Sequence, residues 1–348
     1  MGIFQGRNNK ALSFVFFTCL LFTGGFFAHH FVITNRLFDL SSLQIYRGND
    51  AYVHRERAQE IFFPYLSECG NIEAGAVFNC SNQPPLFHVL AAPFVYRDET
   101  FYFFSLLFIG VLIPLILYAV TREPWTPFFY FTVTNFFYIG RNVLTSELAM
   151  ALVLLFFVFK KPWQHLVILY LLILAHPHGF YLGLGVLFLI YLFKVKWWLF
   201  FPSFLPGCSG QFKGVVGQVV NTELFSLGPG QSLQVQVDAM YPVFKVGDWL
   251  STLFWNSPLP FFLIGVWGFV KEREFAMLFL LVGSVFLAGL TWRFNLLAGL
   301  FCVVGTSFAY KHAPKRLKRF ILIAAVLMGL FQLYNFSWEI QKLAGLIC

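Results

Sequence analysis

Charge is what this sequence has least of. Only 11% of its 348 residues are Asp, Glu, Lys or Arg, where soluble globular domains carry roughly 25%, and that shortage excludes a water-soluble fold. Cysteine is scarce as well: six residues, dispersed along the chain, too few and too scattered for a disulfide scaffold or a metal cluster. Alternating ten-residue segments are missing, which excludes a membrane β-barrel. The net charge of +8 comes as small basic clusters between apolar runs, not as one patch; that pattern reads as topology signal and excludes a nucleic-acid-binding surface. No small-residue cleavage pattern closes the first apolar run, since Ala28-His29-His30 is a poor one, so the first span is expected to remain as an uncleaved anchor.

What is present is apolar and aromatic. Hydrophobic residues make up 58% of the chain and aromatics 20%, with a mean hydropathy of +0.71. The expectation is an all-α polytopic membrane protein with about 11 transmembrane helices. It reads as a single transmembrane domain over 1–348. A first span (1–34) leads to an outer loop with interfacial helices (35–99) and a transmembrane bundle (100–206). A second outer loop (207–248) precedes the C-terminal spans (249–348). Spans are expected near 100–121, 126–140, 143–159, 164–177, 178–193, 197–206, 249–270, 275–290, 294–310 and 320–337. Several are shorter than the ~20 residues a crossing needs, which predicts half-spans or broken helices, with Pro177 a natural break point. LFHVLAAPF (Leu86 to Phe94) is too short to cross and is expected at the interface. The second outer loop holds VVGQVV and LQVQV runs around a Gly-Pro-Gly turn, read as a small hairpin or a mobile cover, or as a spacer.

With alternating spans, one side collects Arg7, Lys10, Arg122, Lys160, Lys161, Lys194, Lys196, Lys271, Arg273, Lys311, Lys315, Arg316, Lys318 and Arg319. Acidic residues go the other way, all but Glu123, Glu272 and Glu274. The positive-inside rule then sets the N-terminus in the cytoplasm and both long loops outside. Cys69 and Cys80 share the first loop and either form one bridge in an oxidising space or remain two thiols. Asn79-Cys80-Ser81 fits the N-glycosylation pattern; Asn335-Phe336-Ser337 fits it too, but too close to the membrane to be a good acceptor.

The first loop carries the chemistry. In NDAYVHRERAQEIFFPYL, Asp50, His54, Arg57 and Ile61 recur at helical spacing and share one face of a helix. Val53, Phe62, Phe63, Tyr65 and Leu66 are interleaved so that such a helix lies on a membrane surface. An aspartate at that boundary stays ionised and is suited to deprotonate a hydroxyl, with His54 or Arg57 orienting it. By spacing alone, a solvated amphipathic helix with i,i+4 ion pairs is the simpler explanation. Asp39, which also follows the first span, is a rival base.

The run NDAYVHRERAQEIF followed by QPPLF resembles the first outer loop of the GT-C fold glycosyltransferases. That superfamily includes protein O-mannosyltransferases, lipid A aminoarabinose transferases and oligosaccharyltransferase catalytic subunits. On the resemblance, Asp50 takes the acidic position, Tyr52 the aromatic one, Ala58 the helix alanine, and Gln83-Pro84-Pro85 the turn into the next apolar segment. Ala51 stands where many relatives have a second acid, and Gln83 where His or Tyr is usual. No Asp-x-Asp occurs in the loop, which argues against the metal-dependent subgroup.

A polyprenyl-phosphate donor needs cations or hydrogen-bond donors where its phosphate meets the interface, because the leaving group is a phosphate. Arg141 and Glu147 flank the turn in GRNVLTSEL, His176 and His178 lie in AHPHG, and Arg293 opens TWRFNLLAGL. Arg offers two parallel donors to phosphate oxygens; each of these residues is also explained as a span end reaching to headgroups. His-x-His with Asp50 could bring in a divalent cation, and no other cofactor is expected.

These residues imply an inverting hexosyltransferase in the plasma membrane or endoplasmic reticulum membrane. It would move a sugar from a polyprenyl (or dolichyl) phosphate to a hydroxyl on a lipid-linked glycan, lipid or protein, on the outer or lumenal face. Asp50 is the general base; His54, Arg57, Arg141, Glu147, His176, His178 and Arg293 bind substrate. The rival reading is a multi-span transporter or lipid flippase, which explains short broken spans and intramembrane polar residues without chemistry.

Overall fold

The structure is a computed structural model, and the residues it describes are 9–37, 55, 58–59, 86–134, 136, 145–159, 161–175, 183–187, 190, 259–287 and 294–343. Among these every regular element is a helix and no strand occurs. In chain order they are α1 (Asn9–Leu37), α2 (Leu86–Ala91), α3 (Asp98–Leu107), α4 (Ile113–Thr121), α5 (Thr126–Val133), α6 (Thr145–Val153), α7 (Leu155–Val158), α8 (Pro162–Ala175), α9 (Leu259–Glu272), α10 (Phe275–Leu287), α11 (Phe294–His312) and α12 (Lys315–Leu343). A 3-10 turn (Ala92–Phe94) follows α2, and a π-helical turn (Phe108–Leu112) joins α3 to α4 without a break.

Among the described residues, three stretches are long and apolar enough to cross a membrane: Lys10–Ala28, Phe103–Thr121 and Lys315–Asn335. Shorter apolar helices fill Leu148–Val158, Pro162–Leu172, Phe275–Val285 and Leu296–His312. The protein is therefore helical and built for a bilayer. LFHVLAAPF folds as the short α2 and its 3-10 turn, with Phe87, His88 and Ala91 buried and Val89, Leu90 and Phe94 exposed.

α12 shows how the chain handles an apolar surround. Phe320, Ile323, Leu327, Leu330 and Tyr334 recur every three or four residues and are exposed. Ile321, Ala325, Met328 and Gln332 form the opposite, buried stripe. The large apolar side chains point outward, as they do where lipid is the solvent.

Lipid is as apolar as leucine, so helices associate there by close packing rather than by a hydrophobic drive. The closest approach joins α9 to α11. A Cβ on Gly305 would stand 2.6 Å from Gly265 Cα and 2.7 Å from Gly265 O, and one on Gly268 would stand 2.6 Å from Ala309 N while overlapping the Gly305 carbonyl. Ala298, Cys302, Gly305 and Ala309 make one face of α11 small enough for backbone to meet backbone. Phe269 flanks this seam, with Phe308 and Phe301 edge-on to it at 5.8 and 6.4 Å.

The helix ends at one side of the bundle are basic. α4 stops at Arg122, left-handed at φ 58°, whose N–H donates to Tyr118 O at 2.8 Å. α9 stops at Arg273, φ 61°, in a Schellman pattern: Arg273 N–H to Val270 O and Glu274 N–H to Phe269 O. Glycine usually occupies that position; an arginine there incurs some strain but sets a cation against the negative end of the helix dipole. Phe14 packs edge-on to Trp125, Trp125 against Tyr310, and Lys318 lies over the Tyr310 ring. The start of α1, the α4–α5 connector, the end of α11 and the start of α12 therefore share this basic end, as the charge pattern anticipates.

Candidate functional site

Asp50, His54, Arg57, Arg141, His176, His178 and Arg293 lie outside the described residues, as do Asp39, Tyr52, Cys69, Cys80, the Asn79 sequon, Gln83-Pro84-Pro85 and the loop 207–248. Glu147 falls in the first turn of α6. None of these candidates is brought against another among the described residues. Within the acidic loop the structure describes Arg55, Ala58 and Gln59: Ala58 is fully buried, and the other two are half-buried. Ala58 belongs to the apolar core that runs through the whole bundle, from Phe87 and Phe101 to Tyr310 and Ala313. The Phe87 ring meets Phe101 and Phe108 edge-on at 6.2 and 5.7 Å. α3 and α4 run from Phe101 toward Arg122, so α2, whose Phe87 meets Phe101, lies at the end of the bundle remote from the basic one.

A second region lies at depth. α5 begins near the basic end, with Pro127 in its first turn, and stops after eight residues. The span expected over 126–140 is thus interrupted at Thr134, which turns extended (φ −79°, ψ 156°). At 1.5 Å per residue this break lies about 12 Å along α5 from its start. Irregular backbone at membrane depth is tolerated only where protein or a cavity receives its polar groups. Here Tyr130 O accepts both the Thr134 N–H at 3.3 Å and the Thr134 hydroxyl at 2.5 Å. Val133 O accepts from Gln332 Nε2 on α12 at 3.3 Å.

α1 and the π turn border the same break. Phe136 packs on Phe26, Tyr130 and Phe131, and its ring closes over Gly110 of the π turn. Gly110 faces the buried Thr23, and a Cβ there would collide with the Thr23 hydroxyl. A π turn and a broken helix at one level are the kind of irregularity found at functional sites. Sequence reasoning missed Gln332 and Thr134. The signal for Gln332 was present: it is the one amide in the run Phe320 to Tyr334, and polar residues inside spans are functional candidates by default.

The basic end holds an ionic network and a buried hydroxyl chain. Glu272 pairs with Lys311 at 2.5 Å and with His312 at 3.1 Å. Burial pushes the Glu272 carboxyl up, but hydrogen bonds and charge from Lys311 and His312 outweigh it and leave the group below the ordinary carboxylate range. Glu123 is the opposite case. Burial raises it, and the Trp125 N–H together with Lys318 and Lys311 only partly offsets that. Beneath it, Thr121 and Thr126 share a hydrogen bond of 2.6 Å, and Thr126 reaches Ser307 of α11 at 3.0 Å.

The two acids carry opposite pH signatures. A carboxyl raised in the folded state costs stability once pH exceeds its folded value, and costs nothing below the unfolded value. Glu123→Gln is therefore expected to raise the melting temperature at pH 7 and to match the parent near pH 4, as followed by thermal unfolding in nanodiscs. Stability from Glu272 runs the other way, present at neutral pH and lost as pH falls through its depressed value.

No group of three His, Cys, Asp or Glu among the described residues could hold a metal ion, and the His-x-His with Asp50 lies outside them. Comparison with protein-family models, with curated proteins and with solved structures found no match to this chain.

Proposed function

We propose that this protein is a membrane glycosyltransferase that passes a sugar from a polyprenyl-phosphate carrier to a hydroxyl on a lipid-linked glycan, lipid or protein. The reaction takes place at the end of the bundle remote from the basic one. The reading rests on the acidic-loop residues, and the observation that supports it is the complete burial of Ala58 against the bundle. A loop that was only a solvated amphipathic helix has no need to seat an alanine in the core. By spacing, His54 falls one helical turn before Ala58, and Arg57 is adjacent to it.

In this mechanism Asp50 takes the proton of the acceptor hydroxyl as its oxygen attacks the anomeric carbon, and the bond to the carrier phosphate breaks on the opposite face. Configuration inverts, and the phosphate leaves toward Arg293 and Arg141, whose guanidinium groups stabilise its growing charge. Holding two lipid-borne reactants at one interface supplies much of the acceleration. The basic end faces the cytoplasm under this proposal, by the positive-inside rule. Asp50→Asn, tested in membranes supplied with labelled lipid-linked sugar, is the decisive experiment.

One observation favours a second reading, a transporter or flippase. The broken α5 and the π turn lie at depth, where discontinuous helices of carriers hold their solutes. Transfer activity that survives loss of Asp50, together with solute flux across proteoliposomes, would select it.

A further inference from the structure

We propose that Gln332 and Asn335 form a binding site for a neutral, hydroxyl-bearing group beside the broken end of α5. The inward stripe of α12 runs Ile321, Ala325, Met328, Gln332 and the half-buried Asn335, apolar for its first three members and amide for the last two. Gln332 is 2% exposed, and its orientation is fixed chemically. Its Nε2 donates to the carbonyl of Val133 at 3.3 Å; the reversed amide would set oxygen against oxygen. That leaves Oε1 as an acceptor, buried and with no hydrogen-bond partner. Three residues on, on the same face, Asn335 Nδ2 is a donor that is also buried and unpartnered. The sequon Asn335 belongs to is therefore part of a helix interior.

Each buried polar atom left unmet costs about 1–3 kcal/mol, so two of them one helical turn apart call for something that answers both. An anion is repelled by the glutamine oxygen, and the lysines and arginines of α12 lie at its other end, 315–319, roughly 20 Å away along the helix. A cation is repelled by the asparagine NH2. What satisfies an acceptor and a donor one helical turn apart is a neutral group that both donates and accepts, and a hydroxyl is such a group. The break at Thr134 lies alongside, because the Val133 carbonyl is the one Gln332 holds.

A hydroxyl at this level comes from one of two sources: the sugar head of a membrane-anchored lipid, or a free sugar in passage. The site is required by neither the transferase nor the carrier reading.

The test uses the full chain in nanodiscs with dodecyl glucoside and dodecyl mannoside, each carrying a diazirine next to the sugar. Crosslinks are mapped by mass spectrometry. Labelling is expected on α12 and α5, and Gln332→Leu and Asn335→Leu should each reduce it about tenfold, the loss of one hydrogen bond. Asn335→Leu removes an unmet buried donor, so its melting temperature should equal or exceed the parent's, which separates lost binding from lost folding. Protection by excess free sugar identifies a free solute; labelling indifferent to it identifies a lipid-anchored headgroup. Equal labelling of the folded Asn335→Leu variant, or equal labelling by a sugar-free diazirine alkane, overturns the proposal and leaves an ordered water or bulk lipid at the site. Transfer that survives Asp50→Asn while labelling still depends on both amides sinks the transferase reading alone.

Discussion

Gly305→Ala is expected to lower the thermal stability of the protein by about 1–3 kcal/mol, the usual cost of forcing a methyl into a filled contact. The obstacle is backbone, not a flexible side chain. The new Cβ meets the Cα, C and O of Gly265 at 2.6 to 2.9 Å, so relief requires α9 and α11 to separate along their whole crossing. Gly268→Ala meets the same seam from the other side, through the Gly305 carbonyl and Ala309 N. Once one methyl has pushed the helices apart, the second costs less, and the double variant should lose less than the sum of the singles. Gly283→Ala in α10 is the control. Nothing lies within 4 Å of its Cβ position, and exchanging glycine for alanine in a helix is favourable by up to about 1 kcal/mol. Fluorescence-detected melting of the four variants in one detergent decides the matter. A Gly305→Ala protein that melts with the parent would remove the seam as a stabilising contact.

Asp50→Asn is expected to reduce sugar transfer by about 100- to 10,000-fold, the range attributed to a positioned general base. In barrier terms that is roughly 3–5.5 kcal/mol. Asparagine keeps the shape and hydrogen-bonding capacity of the side chain while removing its ability to accept the proton, so the melting curve should not move. Donor binding, measured separately with labelled carrier lipid, should also persist, because Arg141 and Arg293 and not Asp50 are assigned to the phosphate. Asp39→Asn, the rival base, should retain most of the activity. Undiminished turnover by Asp50→Asn with activity lost in Asp39→Asn would move the base by eleven positions; undiminished turnover by both would end the transferase reading.

The legible part of this protein is what adds up along the chain. α1, α3 through α4, and α12 were readable because hydropathy summed over a window does not depend on neighbours in space. The basic end was readable for the same reason: Arg122, Lys271, Lys311 and Lys318 mark connectors by composition. The Pro177 of AHPHG, expected as a breaker, lies outside the described residues, and a break within them falls at Thr134, with no proline beside it. The difference is physical. A proline breaks a helix by its own geometry, but Thr134 leaves the helix where its hydroxyl takes the Tyr130 carbonyl and Gln332 takes that of Val133.

Composition and order alone therefore pointed to a helical membrane protein with basic connectors on one side, and they singled out Asp50 as the acid to test. Only the tertiary structure decided which glycines are contacts and which are open, that Ala58 is seated in the core, and that α5 stops in mid-bundle. The groups that decide those points come from opposite ends of the sequence: Gln332 and Val133 are 199 residues apart, Ser307 and Thr126 are 181. A hydrophobic run announces itself locally because every residue in it faces the same solvent. A carbonyl at a broken helix end is satisfied or left bare according to what another helix brings beside it, and no window of neighbouring residues contains that partner.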